Sequence, residues 1–195
     1  MEANRSSKKA IFDYQERMTS ALAGFNFGQI ESFVAKLFDI RNEGSTVFVA
    51  GNGGSASTAS HYAVDWMLGT ALVNPSLRVI ALTESAASIT ATGNDQGFDR
   101  IFQRQLEHLG QARDLLVVVS ASGNSPNLVA LVRFAQSVGI VAVAITGFDG
   151  GALRQLADVS LHVETAVGDY GIAEDLHLMI GHVVKEALIA GAVNA

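Results

Sequence analysis

Apolar positions recur at helical spacing twice near the start of the chain, first at Ile11, Tyr14, Met18, Ala21 and Leu22, then at Ile30, Phe33, Val34, Leu37 and Phe38. The pattern predicts a helical pair over 10–43, with Gly44 placed to stop the second helix. From Thr46 onward the texture changes. Short apolar runs at 46–50, 78–82, 114–120, 140–146 and 158–163 alternate with Gly- or Ser-rich turns and amphipathic stretches. Their near-continuous Val, Ile and Leu content is what a strand buried on both faces requires. Five such runs predict a doubly wound parallel sheet, an α/β sandwich over 46–190 with helices on both faces. A closing helix over 172–190 carries Leu176, Met179, Ile180 and Val183 on one side, and helical geometry sends Glu174, His177 and His182 to the other. No internal repeat or linker is visible, so residues 1–195 read as one domain that starts with a polar tail over 1–9, expected to be disordered.

With 195 residues, 49% of them hydrophobic and 16% charged, the chain suffices for one large core and is short for two. There are 13 Lys and Arg against 19 Asp and Glu, a net charge of -6, and no basic block beyond Lys8-Lys9. Neither nucleic acid nor an anionic membrane is therefore expected as a partner, since both call for clustered positive charge. The count of 0 cysteines excludes disulfides, thiolate zinc sites and a cysteine nucleophile. The start of the chain lacks an apolar signal core, and no apolar run approaches the ~18 residues of a membrane span. A soluble cytoplasmic protein is the expectation.

Ligands of open parallel sheets collect beyond the carboxyl ends of the strands. Two loops there look built for an anion. Gly51-Asn52-Gly53-Gly54-Ser55 leads from the first strand into a helix, with glycines for a tight turn and Ser55 placed to cap the helix. Ser120-Ala121-Ser122-Gly123-Asn124-Ser125 follows the third strand, and Pro126 then opens a helix. Hydroxyls and helix-terminal amides can hold a phosphate without Lys or Arg, which agrees with the negative net charge. The competing reading is that Ser and Gly simply cap helices. Neither loop matches a P-loop or a dinucleotide fingerprint, so no nucleotide cofactor is expected. The turn at 146–151 leads from a strand into a helix and can line the same crevice.

His61 and Asp65 are four apart on the helix after the first loop and share a face. The spacing suits a metal pair, a proton-transfer pair or a plain polar stripe. Should the closing helix converge on them, Glu174 and His182 complete a set of two imidazoles and two carboxylates, suited to Zn²⁺ or a similar divalent ion. His177 serves structure or a subunit contact in this reading, and His108 and His162 have no partnered spacing. Asn94-Asp95 reads as a polar turn whose Asp can touch a sugar hydroxyl, or as a helix cap.

Taken together, Val47-Phe48-Val49-Ala50-Gly51-Asn52-Gly53-Gly54-Ser55, His61, Gly93-Asn94-Asp95-x-Gly97-Phe98, Ser120-x-Ser122-Gly123-Asn124-Ser125, Thr146-Gly147-x-Asp149-Gly150-Gly151 and Glu174-x-x-His177-x-x-x-x-His182 resemble the sugar isomerase (SIS) domain family. Within that family the pattern is similar to the phosphoheptose (sedoheptulose-7-phosphate) isomerase group. The resemblance implies a flavodoxin-like fold, a homotetramer with shared active sites, and a phosphorylated sugar substrate. It gives phosphate binding to Ser120, Ser122 and Ser125, with Asn52, Gly53 and Ser55 close by. It gives acid/base roles to Asp65 and His182, and zinc binding in some members to the positions of His61, Asp65, Glu174 and His182.

Several residues depart from that pattern. Asp65 stands where the family has Glu, which draws the carboxylate back by about 1.5 Å. Glu174 replaces Gln, Ala121 replaces Thr, Gly171 stands where an Asp is usual, and Trp66-Met67-Leu68-Gly69 lacks an Arg. The expected function is ketose phosphate to aldose phosphate isomerisation through an enediol(ate). The alternative is a noncatalytic phosphosugar-binding module, or a regulatory SIS protein associated with a replication initiator.

Overall fold

The computed structural model describes residues 2–71 and 75–193. Two helices, α1 (Glu2–Gly24) and α2 (Gly28–Glu43), precede the sheet. Gly44 ends α2 in the left-handed conformation at φ 70°, and its N–H returns to Arg41 and Ile40 carbonyls. Then follow β1 (Thr46–Gly51), α3 (Gly54–Gly69), β2 (Arg78–Ala81), α4 (Ala86–Gln96), a 3-10 turn (Phe98–Arg100) and α5 (Gln103–Leu109). The remainder is β3 (Leu115–Ser120), α6 (Pro126–Ser137), β4 (Val141–Thr146), α7 (Gly151–Leu156), β5 (Val159–His162) and α8 (Tyr170–Val193). Each of the five apolar runs is a strand, to within a residue or two at its ends. Asp114 and Asp158 lie just outside β3 and β5, where their carboxylates accept backbone N–H bonds from Thr46 and Ala142, each at 2.8 Å.

The strands pair in parallel in the order β2-β1-β3-β4-β5. Alternate residues feed two cores. Val47, Val49, Leu115, Val117, Val143 and Ile145 meet α2, α3 and α8 on one face. Phe48, Ala50, Leu116, Val118, Ala142 and Ala144 meet α5, α6 and α7 on the other. That explains why the runs lack polar alternation: both parities are buried, each Val, Leu, Ile or Phe contributing about 1.5–3 kcal/mol and each Ala less. The order reverses at β1 and β3. The chain leaves β1 toward one face and β3 toward the opposite face, and a crevice opens between their carboxyl ends.

Three expectations are corrected here. Residues 2–9 are the first turns of α1 and not a separate disordered tail, with Lys9 paired to Asp13 one turn on. The predicted apolar face of α1 is only half used: Met18 and Ala21 pack on the core, whereas Ile11 is 68% exposed. α1 is tied down on α8 by Tyr14 bonded to Asp175 at 2.5 Å, and on the preceding loop by Arg17 paired with Asp169 at 2.9 Å. His177 does not face solvent. α8 is sandwiched between neighbouring helices, so His177 is fully buried and its carbonyl accepts the Tyr62 hydroxyl. Burial pushes its imidazole down to about 4, and it is neutral at pH 7.

Candidate active site

The two strand-end loops meet. β1 and β3 are adjacent, with Gly51 in register with Val119, so 51–55 and 120–125 leave the sheet side by side. A pair of amides locks them together. Asn52 and Asn127 exchange two side-chain hydrogen bonds, each 2.9 Å, and Asn127 is 1% exposed. The Leu128 N–H donates to Asn127 Oδ1 at 3.0 Å, which fixes the sense of that amide and through it the sense of Asn52. Asn127→Leu is expected to cost about 1–3 kcal/mol in urea denaturation, because the paired groups of Asn52 lose their partners. Combined with Asn52→Ala, the loss should be clearly less than additive.

Ser55, expected to cap α3, is free of that duty, and so is the side chain of Ser125. The N-cap of α3 is Gly53, at φ 54° and ψ -125°, a conformation that strains any side chain; Ser55 lies buried in the first helical turn. Ser125 occupies the N-cap position of α6 but makes no capping bond through its side chain. A glycine and a serine of these loops thus stand at the N-cap positions, but neither serine side chain is used up by a capping bond. Ser120 Oγ accepts the Gly123 N–H at 3.1 Å, and Ser122 Oγ accepts the Asn124 N–H at 3.3 Å, which curls the loop. Asn124 Oδ1 accepts the Ala152 N–H at 2.9 Å, docking the loop on the start of α7.

α3 and α8 pack along their lengths. Trp66 and Tyr62 are buried in that seam, with Trp66 Nε1 donating to the Gly181 carbonyl at 3.1 Å. The packing brings His61 and His182 to an Nε2–Nε2 distance of 3.0 Å. Asp65 Oδ2 lies 3.3 Å from His61 Nε2 and 3.7 Å from His182 Nε2. This oxygen is buried and makes no hydrogen bond. The other oxygen, Oδ1, accepts a bond from Lys185 Nζ at 3.0 Å. Partial burial pushes the Asp65 carboxyl up, but the Lys185 ammonium and the two imidazoles outweigh it and hold the group below its ordinary value.

Three of the four expected metal ligands thus converge: one ligand atom each from His61, Asp65 and His182 lie within 4.8 Å of one another. Two imidazole nitrogens and a buried carboxylate oxygen without a partner fit a divalent cation. Glu174 stands outside that group. Its carboxylate lies against Gly54 at the amino end of α3, so close that a Cβ at position 54 would collide with it. Free N–H groups at a helix start favour negative charge, which accounts for that position. Asn94 and Asp95 do not form a loop. They are exposed on the last turn of α4, where Asn94 donates to Asp95 at 2.7 Å. Lys185 and Asn127 were absent from the sequence expectations. The only local signal for Lys185 is its spacing of three from His182, which puts both on one side of α8.

Among the described residues, no helix is long and apolar enough to cross a membrane. The SIS domain model matches residues 12–147. A phosphoheptose isomerase of Burkholderia pseudomallei is 41% identical over 142 residues, 73% of this chain and 71% of the relative. Another, from Akkermansia muciniphila, is 35% identical over 159 residues, 82% of this chain and 83% of the relative. The solved structure of a phosphoheptose isomerase from Francisella tularensis superposes with a TM-score of 0.84 at 31% identity, covering 93% of this chain and 97% of that one. With a family model spanning most of its length and relatives this similar, the chain belongs to the SIS domain family, alongside the phosphoheptose isomerases.

Proposed function

We propose that the chain is a phosphosugar isomerase that interconverts a ketose phosphate and an aldose phosphate, with sedoheptulose 7-phosphate as the first substrate to test. One observation carries the reading: Asp65 and His61 of α3 converge with His182 of α8, and the amino end of α3 forms one of two joined anion loops. Phosphate is held by Ser120, Ser122 and Ser125, with Asn52, Gly53 and Ser55 beside them, through neutral donors and helix-terminal N–H groups. Glu174 orients the sugar from the same edge. Asn94 and Asp95, exposed on the last turn of α4, offer polar groups to the sugar hydroxyls.

Asp65 removes the proton from the carbon beside the carbonyl, and His182 moves a proton between the two sugar oxygens. A proton then returns to the neighbouring carbon, so the carbonyl changes place with no net gain or loss of atoms. His61, Asp65 and His182 are the residues that would hold Zn²⁺ or a similar divalent ion. When bound there, a divalent cation supplies charge that stabilises an enediolate. We read the enzyme as active, although Asp65 and Glu174 stand where the family pattern has Glu and Gln.

The whole chain acts as one domain in this reading and assembles as a homotetramer. The uncovered apolar side of α1, Ile11 and Phe12 among it, supports assembly with further copies. A cytoplasmic setting goes with the substrate class, since doubly ionised esters do not cross bilayers unaided. The noncatalytic alternative is not favoured, because relatives at 35–41% identity bear an isomerase name.

The test is NMR of purified protein with heptose, hexose and pentose ketose phosphates. One of them should be converted, and His182→Ala should lower turnover by about 10²-fold or more while calorimetry still detects binding. Stabilisation by sugar phosphates with no conversion of any would overturn the isomerase and leave the binding module.

A further inference from the structure

The carboxylate of Asp65 is divided between two environments. Oδ2 faces the His61 and His182 imidazoles, and Oδ1 is held by Lys185 Nζ at 3.0 Å. A short Asp side chain has a broad terminal torsion, so by itself it does not fix the tilt of its carboxylate plane toward the imidazoles. A charge-assisted bond to one of the two equivalent oxygens fixes that tilt. Lys185 reaches it by a defined route. Its stem runs over Gly69, one turn beyond Asp65 on α3, where a Cβ would stand 3.3 Å from Lys185 Cγ. The Lys185 side chain is 31% exposed and that of Asp65 only 10%, so the contact reaches inward from the rim of the seam.

We propose that Lys185 is a positioning residue for the isomerisation: by holding one Asp65 oxygen it fixes the plane of the carboxylate, so that the other oxygen stays aimed at the imidazoles and the reacting proton. The inference rests on the isomerase reading above for its kinetic consequence, but its geometric content stands without it. Lys185 acts through Asp65 and not on the substrate. Its loss therefore lowers kcat and leaves KM nearly unchanged. A simple helix-to-helix ion pair would instead alter stability and leave both constants alone.

The experiment compares Lys185→Met, Lys185→Arg, Asp65→Asn and the Asp65→Asn/Lys185→Met double variant on whichever ketose phosphate the wild type converts, together with a crystal structure of Lys185→Met. Lys185→Met is expected to lower kcat about 10–100-fold, as for a misplaced reacting group, with KM within about twofold of wild type. Lys185→Arg should recover most of the rate, and the double variant should be no slower than Asp65→Asn. In the crystal, the Asp65 carboxylate of Lys185→Met should be turned or split between poses. A wild-type kcat in Lys185→Met, additive losses in the double variant, or an unmoved carboxylate would each overturn the proposal. Should the wild type convert nothing, the isomerase reading falls, and the carboxylate pose in the crystal alone decides this one.

Discussion

Asp65→Asn is expected to lower kcat by about 10²–10⁴-fold with little change in KM, the loss typical of a positioned proton-transfer group. The substitution keeps the shape of the side chain and its place in the seam, so what it removes is the charge and the ability to take a proton. Oδ2 is the atom at issue. It is buried, faces both imidazoles and lacks a hydrogen bond, an arrangement that costs stability unless something else uses the oxygen. Because Lys185 and the imidazoles hold the carboxyl below its ordinary value, Asp65 remains ionised throughout the neutral range. Activity that depends on it is present above that depressed value and lost as pH falls through it, below the ordinary Asp value of about 3.9. Steady-state kinetics of the variant decide the matter: a kcat within about threefold of wild type would remove Asp65 from the reaction.

The second large effect concerns the seam that creates the site. Trp66→Ala is expected to destabilise the protein by about 3–5 kcal/mol, read by urea or thermal denaturation. Trp66 is fully buried, stacked on Tyr62 at 4.5 Å between centroids and set edge-on to Phe33 at 5.6 Å. Truncation leaves a cavity between α2, α3 and α8 and strips the Gly181 carbonyl of its donor. Gly181 directly precedes His182, so the same change loosens the register that holds His182 against His61 and Asp65. Activity should therefore fall together with stability. Trp66→Phe, which keeps a stacked ring but gives up the N–H and part of the buried indole volume, should lose less on both counts. A destabilisation below about 1 kcal/mol in Trp66→Ala would mean that the seam is held elsewhere.

Much of the fold was legible because its signals are local. Runs buried on both faces need apolar residues at successive positions, so the five strands stood out, and Gly44 marked a helix end through its left-handed conformation. The two Gly- and Ser-rich loops were legible for a similar reason: glycines and serines directly after a strand are a short-range pattern. The resemblance to the SIS family then supplied His61, Asp65, Glu174 and His182 as a group, of which three converge. The misplaced features have separate causes. His177 sat on the polar side of a helical projection, but that edge of α8 is packed against neighbouring elements, with the Tyr62 hydroxyl of α3 on its carbonyl. Asn94 and Asp95 looked like a turn, yet the helix from Ala86 runs on through both. Glu174 shared a face with His182 but sits too far back along α8 to join the cluster.

The order of residues along the chain thus determined the α/β class, the strands and the two loops, since each depends on neighbours a few positions apart. Only the tertiary structure decided which side chains meet. Lys185 and Asp65 are 120 residues apart and Asn52 and Asn127 are 75 apart, and no periodicity links them. Their contacts follow from how α3 is pressed on α8 and how β1 lies beside β3. Those placements are set by the packing of both cores together, and no single stretch of sequence encodes them.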